Sequence, residues 1–268
     1  MNVQDFCVQI LSNGDLDSKL LSTKLIDWED DNPQTFWNDT LPKRNHEITF
    51  SDKQIKFPKK GSLHQNKSKA LALHFFANHE LMAIELFAWA IVQFPEISKD
   101  EKKRLILTLS DEQKHFKLYQ KRIQRLGVSF GDYPVNDFFW RIISQSSSIE
   151  QFYSLMALTF EQANLDFMSF YLDCFKSIGD EETAAILNII YEDEISHVQR
   201  GARFLRNDTQ ELWDIYQSYL PKGVTPARGK GMTFDKDARK KAGLDEHFIQ
   251  QMNDYQDSFK VTKRKEWK

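Results

Sequence analysis

The chain has 268 residues and a formal net charge of −3 at pH 7, so its bulk charge does not indicate nucleic acid or an anionic membrane as a partner. Hydrophobic residues make up 41% of the sequence and aromatic residues 13%, while the 10 glycines and 7 prolines are few. This composition favours an all-α protein with a large core. The two cysteines, Cys7 and Cys174, lie far apart, which suits a reducing compartment better than a disulfide framework.

The N-terminal residues MNVQDFCVQI lack the basic segment and the long apolar stretch of a signal peptide, so we expect a cytoplasmic protein. Residues 1–60 mix short apolar stretches with Pro, Asn and Asp, and are predicted to form a loosely ordered extension with one short helix at residues 3–11. The most apolar segment, residues 71–92, is interrupted by His74, His79 and two glutamates. It predicts a buried helix rather than a membrane span.

Four long helical patterns follow the extension. Helix A is predicted to end before Pro95, and helix B begins at Ser98, which forms an S-x-x-E capping box with Glu101. Asp180 is the predicted N-cap of helix D. The predicted helices A to D cover residues 67–94, 98–127, 148–179 and 180–206.

The connections between these helices differ in length. Helices A and B, and likewise helices C and D, are separated by only a few residues, so each pair is predicted to be an antiparallel hairpin. The connection from B to C, residues 127–147, is long enough to run along a bundle. Short, long and short connections are the pattern of the ferritin-like four-helix bundle, which is the predicted fold.

The C-terminal part of the chain extends beyond the predicted bundle. Residues 209–219 predict one helix and residues 235–258 a short helical region, with a loop between them. The tail KVTKRKEWK is basic and predicted to be solvated. The predicted division is an N-terminal extension, the bundle, and a C-terminal helical extension with the basic tail, at residues 1–60, 61–207 and 208–268.

Helices B and D each carry a Glu-x-x-His motif, Glu112 with His115 and Glu194 with His197. Side chains three residues apart lie on one face of a helix, so each pair can reach one metal ion. A single such motif is expected about once by chance in a chain with this many acids and histidines. Two of them, each on the second helix of a hairpin, are stronger evidence.

The first helix of each hairpin supplies a further carboxylate. Glu80 and Glu161 lie in almost unbroken apolar stretches, where a carboxylate must be paired, protonated or bound to a metal. Glu112 follows Glu80 by 32 residues and Glu194 follows Glu161 by 33, so the hairpins form a repeated unit. One Glu from each of two helices, with Glu-x-x-His from each of the other two, is the di-metal carboxylate pattern.

This set of four carboxylates and two imidazoles predicts two bound metal ions. Oxygen and imidazole ligands suit iron or manganese better than copper, and the absence of thiolates argues against structural zinc. Four carboxylates also balance the four charges of two divalent ions, which permits burial. We therefore expect iron, with manganese as the alternative.

Four further acids and one tyrosine lie near the predicted ligands. Asp111 and Asp193 precede the histidines by four residues and are predicted either to orient the imidazoles or to be solvated or capping residues. Glu85 and Asp166 follow the first ligand of each hairpin by five residues, and are predicted to hydrogen-bond the histidines of the opposite hairpin. Tyr119 has the offset of the redox tyrosine in the small subunits of ribonucleotide reductase, which makes it a redox candidate; a buried core tyrosine is the alternative.

Several stretches of the sequence resemble one protein family. They are FANHELMAIELFAWA, the segment that begins DEQKHF, LTFEQANLDF, DEISHV and PARGKGMTFDKDARKKAGLDEHFI. These stretches are similar to an uncharacterised bacterial family of the ferritin-like superfamily, catalogued as a domain of unknown function. The resemblance spans residues 60–250 and implies a ferritin-like fold with a di-metal site, but no substrate. The implied ligands are Glu80, Glu112, His115, Glu161, Glu194 and His197.

The function that these features predict is an O2-activating oxidase or hydroxylase of unknown substrate, with the tRNA-nucleoside hydroxylases of the superfamily as one parallel. Its partners would be O2, a small-molecule or nucleoside substrate and an electron donor, and a homodimer is the default assembly. Iron storage or ferroxidase activity is the first alternative and predicts a large oligomer. A non-catalytic helical scaffold is the second and predicts little bound metal.

Overall fold

A computed structural model of the chain describes residues 1–51 and 55–257. Within these ranges the regular secondary structure is helical, as the composition predicts, and an isolated bridge joins Phe50 to Val135. The predicted basic tail lies outside the described residues. The helices are α1 (Val3–Ser12), α2 (Leu16–Lys19), α3 (Asn66–Gln93), α4 (Lys99–Arg125), α5 (Phe138–Ile143), α6 (Ile149–Leu155), α7 (Gln162–Ser177), α8 (Glu181–Leu205), α9 (Leu212–Tyr219), α10 (Lys236–Lys241) and α11 (Glu246–Asp254).

The long helices begin and end close to the predicted positions. The hydroxyl of Ser98 accepts a hydrogen bond from the backbone N–H of Glu101 at 3.1 Å, which caps α4. Asp180 caps α8 in the same way, since its carboxylate accepts the backbone N–H of Thr183 at 3.1 Å. Between α6 and α7 the backbone is π-helical over Met156–Glu161, so predicted helix C is interrupted. The helical periodicity of the sequence gave no sign of this segment.

The chain divides into two compact units. The first consists of residues 1–149 and 174–186, and the second of residues 150–173 together with the described residues from Leu187 onwards. In the first unit α3 and α4 pack as an antiparallel pair. Glu80 of α3 lies beside His115 of α4. Phe76, one turn before Glu80, packs against the ring of Tyr119, one turn after His115. The first predicted hairpin is therefore confirmed.

The second unit also contains an antiparallel helix pair, formed by the helix that carries Glu161 and by α8. Glu161 lies beside His197, and Tyr153, two turns earlier, stacks on Phe204, two turns later. The ring centroids of this stacked pair are 4.5 Å apart. The second predicted pairing of helices is thereby confirmed as well, while the predicted division of the chain at residues 60 and 207 stays a prediction.

The N-terminal segment is packed more tightly than predicted. Helix α1 lies against α3, and its apolar face is buried. Lys19, at the end of α2, is fully buried and its Nζ lies 3.1 Å from Glu85 Oε1. The expectation of a loosely ordered segment is therefore corrected for this part, because an apolar helical face and a buried ion pair attach it to α3. The buried residues of α1 are Phe6, Cys7, Val8, Ile10 and Leu11.

The C-terminal helices are shorter than predicted. Helix α9 begins after Thr209, because the side chain of Asn207 accepts the backbone N–H of Thr209 at 2.9 Å and forms a turn there. The region predicted as one helical stretch is two helices, α10 and α11. Gly243 ends the first of them with a φ of 75°, a left-handed conformation that favours glycine.

In the described part of the chain, α3 is the one helix that is long and apolar enough to cross a membrane. Of its most apolar window, 83% is buried inside the structure. Such burial is typical of a core helix, which agrees with the buried helix predicted from the sequence.

Candidate metal centre

The first unit brings together Glu80 from α3 with Glu112 and His115 from α4. His115 Nδ1 lies 3.6 Å from Glu80 Oε2 and 3.5 Å from Glu112 Oε2. All three side chains are buried, and their ligand atoms lie within 4.8 Å of one another. Helical spacing places Glu112 and His115 on one face of α4. The antiparallel packing of α3 against α4 adds Glu80.

The second unit likewise assembles two glutamates and one histidine. Glu161, the last residue of the π-helical segment, meets Glu194 and His197 of α8. His197 Nδ1 lies 3.7 Å from Glu161 Oε1 and 3.5 Å from Glu194 Oε2, and all three side chains are buried. Asn164, which the sequence did not single out, donates a hydrogen bond of 3.0 Å from Nδ2 to Glu194 Oε1 and so orients that carboxylate.

The separations in both clusters leave room for a cation. Nitrogen–oxygen distances of 3.5–3.7 Å exceed those of good hydrogen bonds. An ion about 2.0–2.2 Å from each atom, as in metal sites with His and carboxylate ligands, fits between them. Glu194 Oε2 supports this view, because it is buried and has no hydrogen-bond partner among the described residues. A buried carboxylate oxygen left in that state is costly unless it binds a ligand.

The electrostatics of the first cluster also favour a bound cation. Burial raises the pKa of Glu80 well above its usual range, and the neighbouring Glu112 carboxylate raises it further. Two buried carboxylates this close are unstable together as anions unless a proton or a cation lies between them. The buried carboxylate and histidine clusters of the two units can therefore hold metal ions.

The π-helical segment shapes the second cluster. Thr159 Oγ1 donates a hydrogen bond of 2.8 Å to the carbonyl of Ser154, five residues earlier, and lies 3.0 Å from the hydroxyl of Tyr216. Because the Thr159 proton is already used, Tyr216 is the donor in this second bond. Segments of this kind are rare and often occur at functional sites. Here the segment ends at Glu161.

Glu85 does not have the role that the sequence predicts. Its carboxylate is buried between two cations of the N-terminal segment. Arg44 Nη2 lies 2.7 Å from Oε2 and Arg44 Nε 3.2 Å from Oε1, and Lys19 Nζ lies 3.1 Å from Oε1. Both oxygens of Glu85 are thus occupied by this ion-pair cluster. The expected hydrogen bond to a histidine is replaced because a fully buried carboxylate requires a nearby positive charge.

Asp166 has the matching position in the second unit and departs from its prediction in the same way. It accepts two hydrogen bonds from Arg239, at 2.7 and 3.0 Å. It also accepts the backbone N–H groups of Gly231 and Asp235, at 2.8 and 2.7 Å. Asp166 therefore holds the C-terminal loop and α10 in place. The need for a cation could be inferred from sequence, but nothing in the sequence identified Arg239 as that cation.

The remaining predicted residues have more varied positions. Tyr119 is fully buried and its ring packs on that of Phe76 at 5.7 Å, so its redox role stays a prediction. Asp111 Oδ1 lies 3.9 Å from Lys114 Nζ. Asp193 is half-buried on α8. The predicted orientation of the histidines by Asp111 and Asp193 likewise stays a prediction.

Residues 9–250 match the family described as Protein of unknown function (DUF455). The chain belongs to this family. Comparisons with curated proteins and with solved structures found no match. The DUF455 match includes both clusters and the two arginines, Arg44 and Arg239, that bind the neighbouring acids. It confirms the predicted membership of an uncharacterised family, and its description names no activity or cofactor.

Proposed function

We propose that this DUF455 protein is a di-metal carboxylate protein of the ferritin-like type, most simply a di-iron protein. One observation carries the proposal: a glutamate and a Glu-x-x-His pair are buried together in both units. In each cluster the histidine Nδ1 lies 3.5–3.7 Å from two carboxylate oxygens. The short, long and short helix connections support a ferritin-like arrangement.

The ligand chemistry supports iron, with manganese as the alternative, because carboxylate oxygens and imidazole nitrogens suit both ions. Each cluster supplies two carboxylates, whose charge balances that of one divalent ion in a buried setting. Bound iron in its reduced state would supply electrons to O2. In each unit the protein's own residues would hold an ion, exclude water and keep the histidine Nδ1 atom deprotonated for ligation.

We propose that the reaction is an O2-dependent oxidation or hydroxylation of a small molecule or nucleoside, with an external electron donor. The buried position of both clusters supports this class, because a site shielded from water limits side reactions of activated oxygen. The first measurement is the metal content of protein from iron-supplied cells, and we expect close to two ions per chain. A chain that stays metal-free under all conditions would contradict the proposal.

A pair of variants distinguishes ligation from packing. Glu161→Ala should remove one metal position and leave the helix content unchanged, because it deletes one carboxylate ligand of the second cluster. Asp173→Ala is the matched control, since Asp173 is an exposed carboxylate later in the same run of helix. Equal metal loss in both variants would show that Glu161 is not a specific ligand.

Exposure of the reduced protein to O2 tests the reaction class. We expect a change in visible absorption that depends on bound iron, and its absence would count against oxygen chemistry. Size-exclusion chromatography tests iron storage, which requires a large oligomer. A small assembly that reacts with O2 supports the oxidase, whereas a cage that accumulates many iron atoms per chain would replace it.

A further inference from the structure

A second feature of the first unit suggests a binding site that is independent of the metals. A groove with a volume of about 680 Å³ runs between the turn that follows α2 and the exposed face of α4. This lies within the range of small-molecule sites, about 300–1,000 Å³. Four lysines line the groove: Lys24, Lys114, Lys117 and Lys121. Its other lining residues are serine, threonine, glutamine and leucine.

The two walls of the groove are fixed to each other. Gln113 lies on α4, is buried, and donates from Nε2 to the carbonyls of Lys19 and Leu21, at 3.0 and 2.9 Å. Lys19 is in turn anchored by its ion pair with Glu85. The groove is therefore bounded by a backbone segment that is tied to the core, and its shape does not depend on mobile side chains alone.

The groove has an uncompensated positive charge. No carboxylate lines it. In the part of the chain that the structure describes, Lys24, Lys117 and Lys121 form no ion pair, and Lys114 lies 3.9 Å from Asp111. This local charge contrasts with the net charge of −3 for the whole chain. A recess lined by charges of one sign attracts ligands of the opposite sign.

The spacing of the lysines indicates the size of the anion. Lys114, Lys117 and Lys121 are separated by three and four residues and lie on one face of α4. At 1.5 Å per residue they extend over about 10 Å along the helix. A single phosphate contacts only part of this row, whereas a chain of linked phosphates contacts all of it together with Lys24 on the opposite wall.

We propose that this groove binds a small ligand that carries two or three linked phosphates. Lysine ammonium groups act as point charges for phosphate, and the hydroxyl and amide groups of the lining supply neutral hydrogen bonds. A nucleic-acid strand is the weaker fit, because the lining has no aromatic side chain on which bases would stack. The site lies on the exposed face of α4, whose buried face carries Glu112 and His115.

The test is calorimetric titration of the full chain with inorganic tripolyphosphate. Lys117→Gln/Lys121→Gln should weaken binding by about tenfold or more, since it removes two charge-assisted contacts. Lys176→Gln/Lys222→Gln removes the same charge at exposed positions outside the groove and should leave the affinity unchanged. Any heat from chelation of bound metal by tripolyphosphate should be the same in this control variant and in the unaltered chain. Circular dichroism confirms that both variants are folded.

Four results would overturn the proposal. The first is the absence of binding: millimolar tripolyphosphate gives the unaltered chain no more binding heat than it gives the Lys117→Gln/Lys121→Gln variant. Equal weakening in the two double variants would indicate nonspecific charge attraction. Binding of a ten-nucleotide RNA more tightly than tripolyphosphate, lost in the groove variant alone, would identify a nucleic-acid surface. Monophosphate should bind more weakly than tripolyphosphate, and equal affinity would contradict a site for linked phosphates.

Discussion

The two units carry the same predicted ligands but support them with different neighbours. In each unit a second acid, five residues after the first ligand, is buried against an arginine: Glu85 against Arg44 and Asp166 against Arg239. Each guanidinium also lies over a phenylalanine ring, at 4.1 and 3.9 Å from the ring centroid. The two units therefore share more than their ligands. In both, an arginine from a flanking segment binds the acid that follows the first ligand by five residues.

The charges around these two acids differ. Glu85 is paired with two cations, Arg44 and Lys19, whereas the only side-chain cation that contacts Asp166 among the described residues is Arg239. Backbone N–H groups complete the coordination of Asp166. A buried carboxylate is thus stabilised by two cations in the first unit and by one cation in the second.

The packing beside the ligands also differs. Phe76 and Ala157 each lie four residues before the first ligand, and Tyr119 and Gly201 each lie four residues after the histidine. In the first unit the rings of Phe76 and Tyr119 pack against each other at these positions. In the second unit a Cβ on Gly201 would overlap Ala157 Cβ, so the two helices approach closely there. The ligand positions repeat, while the helix separation is set separately in each unit.

Arg239→Met should give the largest loss of stability. It leaves the buried carboxylate of Asp166 without a cation, which costs about 3–5 kcal/mol in the free energy of unfolding. Urea denaturation followed by circular dichroism measures this loss. Arg44→Met should cost less, because Lys19 remains beside Glu85.

The double variant Asp166→Asn/Arg239→Met provides the control for this comparison. It removes both charges, so it should recover part of the stability lost in Arg239→Met. If Arg44→Met and Arg239→Met destabilise the chain equally, the redundancy of charge in the first unit has no energetic importance.

Gly201→Ala should have the next largest effect. The added methyl group meets Ala157 Cβ, and both atoms are attached to helical backbone, so neither can move without shifting a helix. Overpacking of this kind costs about 1–3 kcal/mol. Thermal denaturation of Gly201→Ala and of Gly201→Ala/Ala157→Gly measures it, and the second variant should be the more stable. No difference between them would show that the close approach is not limiting.

The sequence predicted the repeated parts of the structure and missed the parts that differ between the units. Helical periodicity located α3, α4 and α8, and the capping residues Ser98 and Asp180 located the starts of α4 and α8. The two Glu-x-x-His motifs, each preceded by a glutamate 32 or 33 residues earlier, located both clusters. The partners of Glu85 and Asp166 could not be predicted, because Arg44 and Arg239 approach from distant segments through tertiary packing. The π-helical segment that ends at Glu161 was also missed, since one extra residue per turn leaves no mark in an apolar stretch.

His74 makes the stability of the first unit depend on pH. The matching position in the second unit is Leu155, whose side chain does not titrate. Burial lowers the pKa of His74 from 6.5 to about 4, and its Nε2 accepts the backbone N–H of Gly131 at 3.0 Å. Between these pKa values the unfolded chain binds more protons, so stability falls as the pH falls. We expect His74 alone to contribute a loss of about 1 kcal/mol in the free energy of unfolding from pH 7 to pH 5.5, measured by urea denaturation at each pH.

His74→Gln is the matched variant, because the amide oxygen of glutamine can accept the same hydrogen bond without titrating. The loss between pH 7 and pH 5.5 should shrink by about 1 kcal/mol in this variant. Burial also lowers the pKa of His79 to about 4, so part of the pH dependence should remain. An unchanged pH dependence would assign the whole effect to other groups.

Tyr119→Phe should have the smallest effect of these changes, because phenylalanine keeps the ring that packs on Phe76. The second unit has Gly201 at the matching position, so a hydroxyl there is not required by the repeat. We expect unchanged metal content and an unchanged absorption change on exposure to O2. Electron paramagnetic resonance after O2 exposure is the decisive measurement: a radical signal that disappears in Tyr119→Phe would give Tyr119 the redox role, and would make the asymmetry of the two units functional rather than a matter of packing.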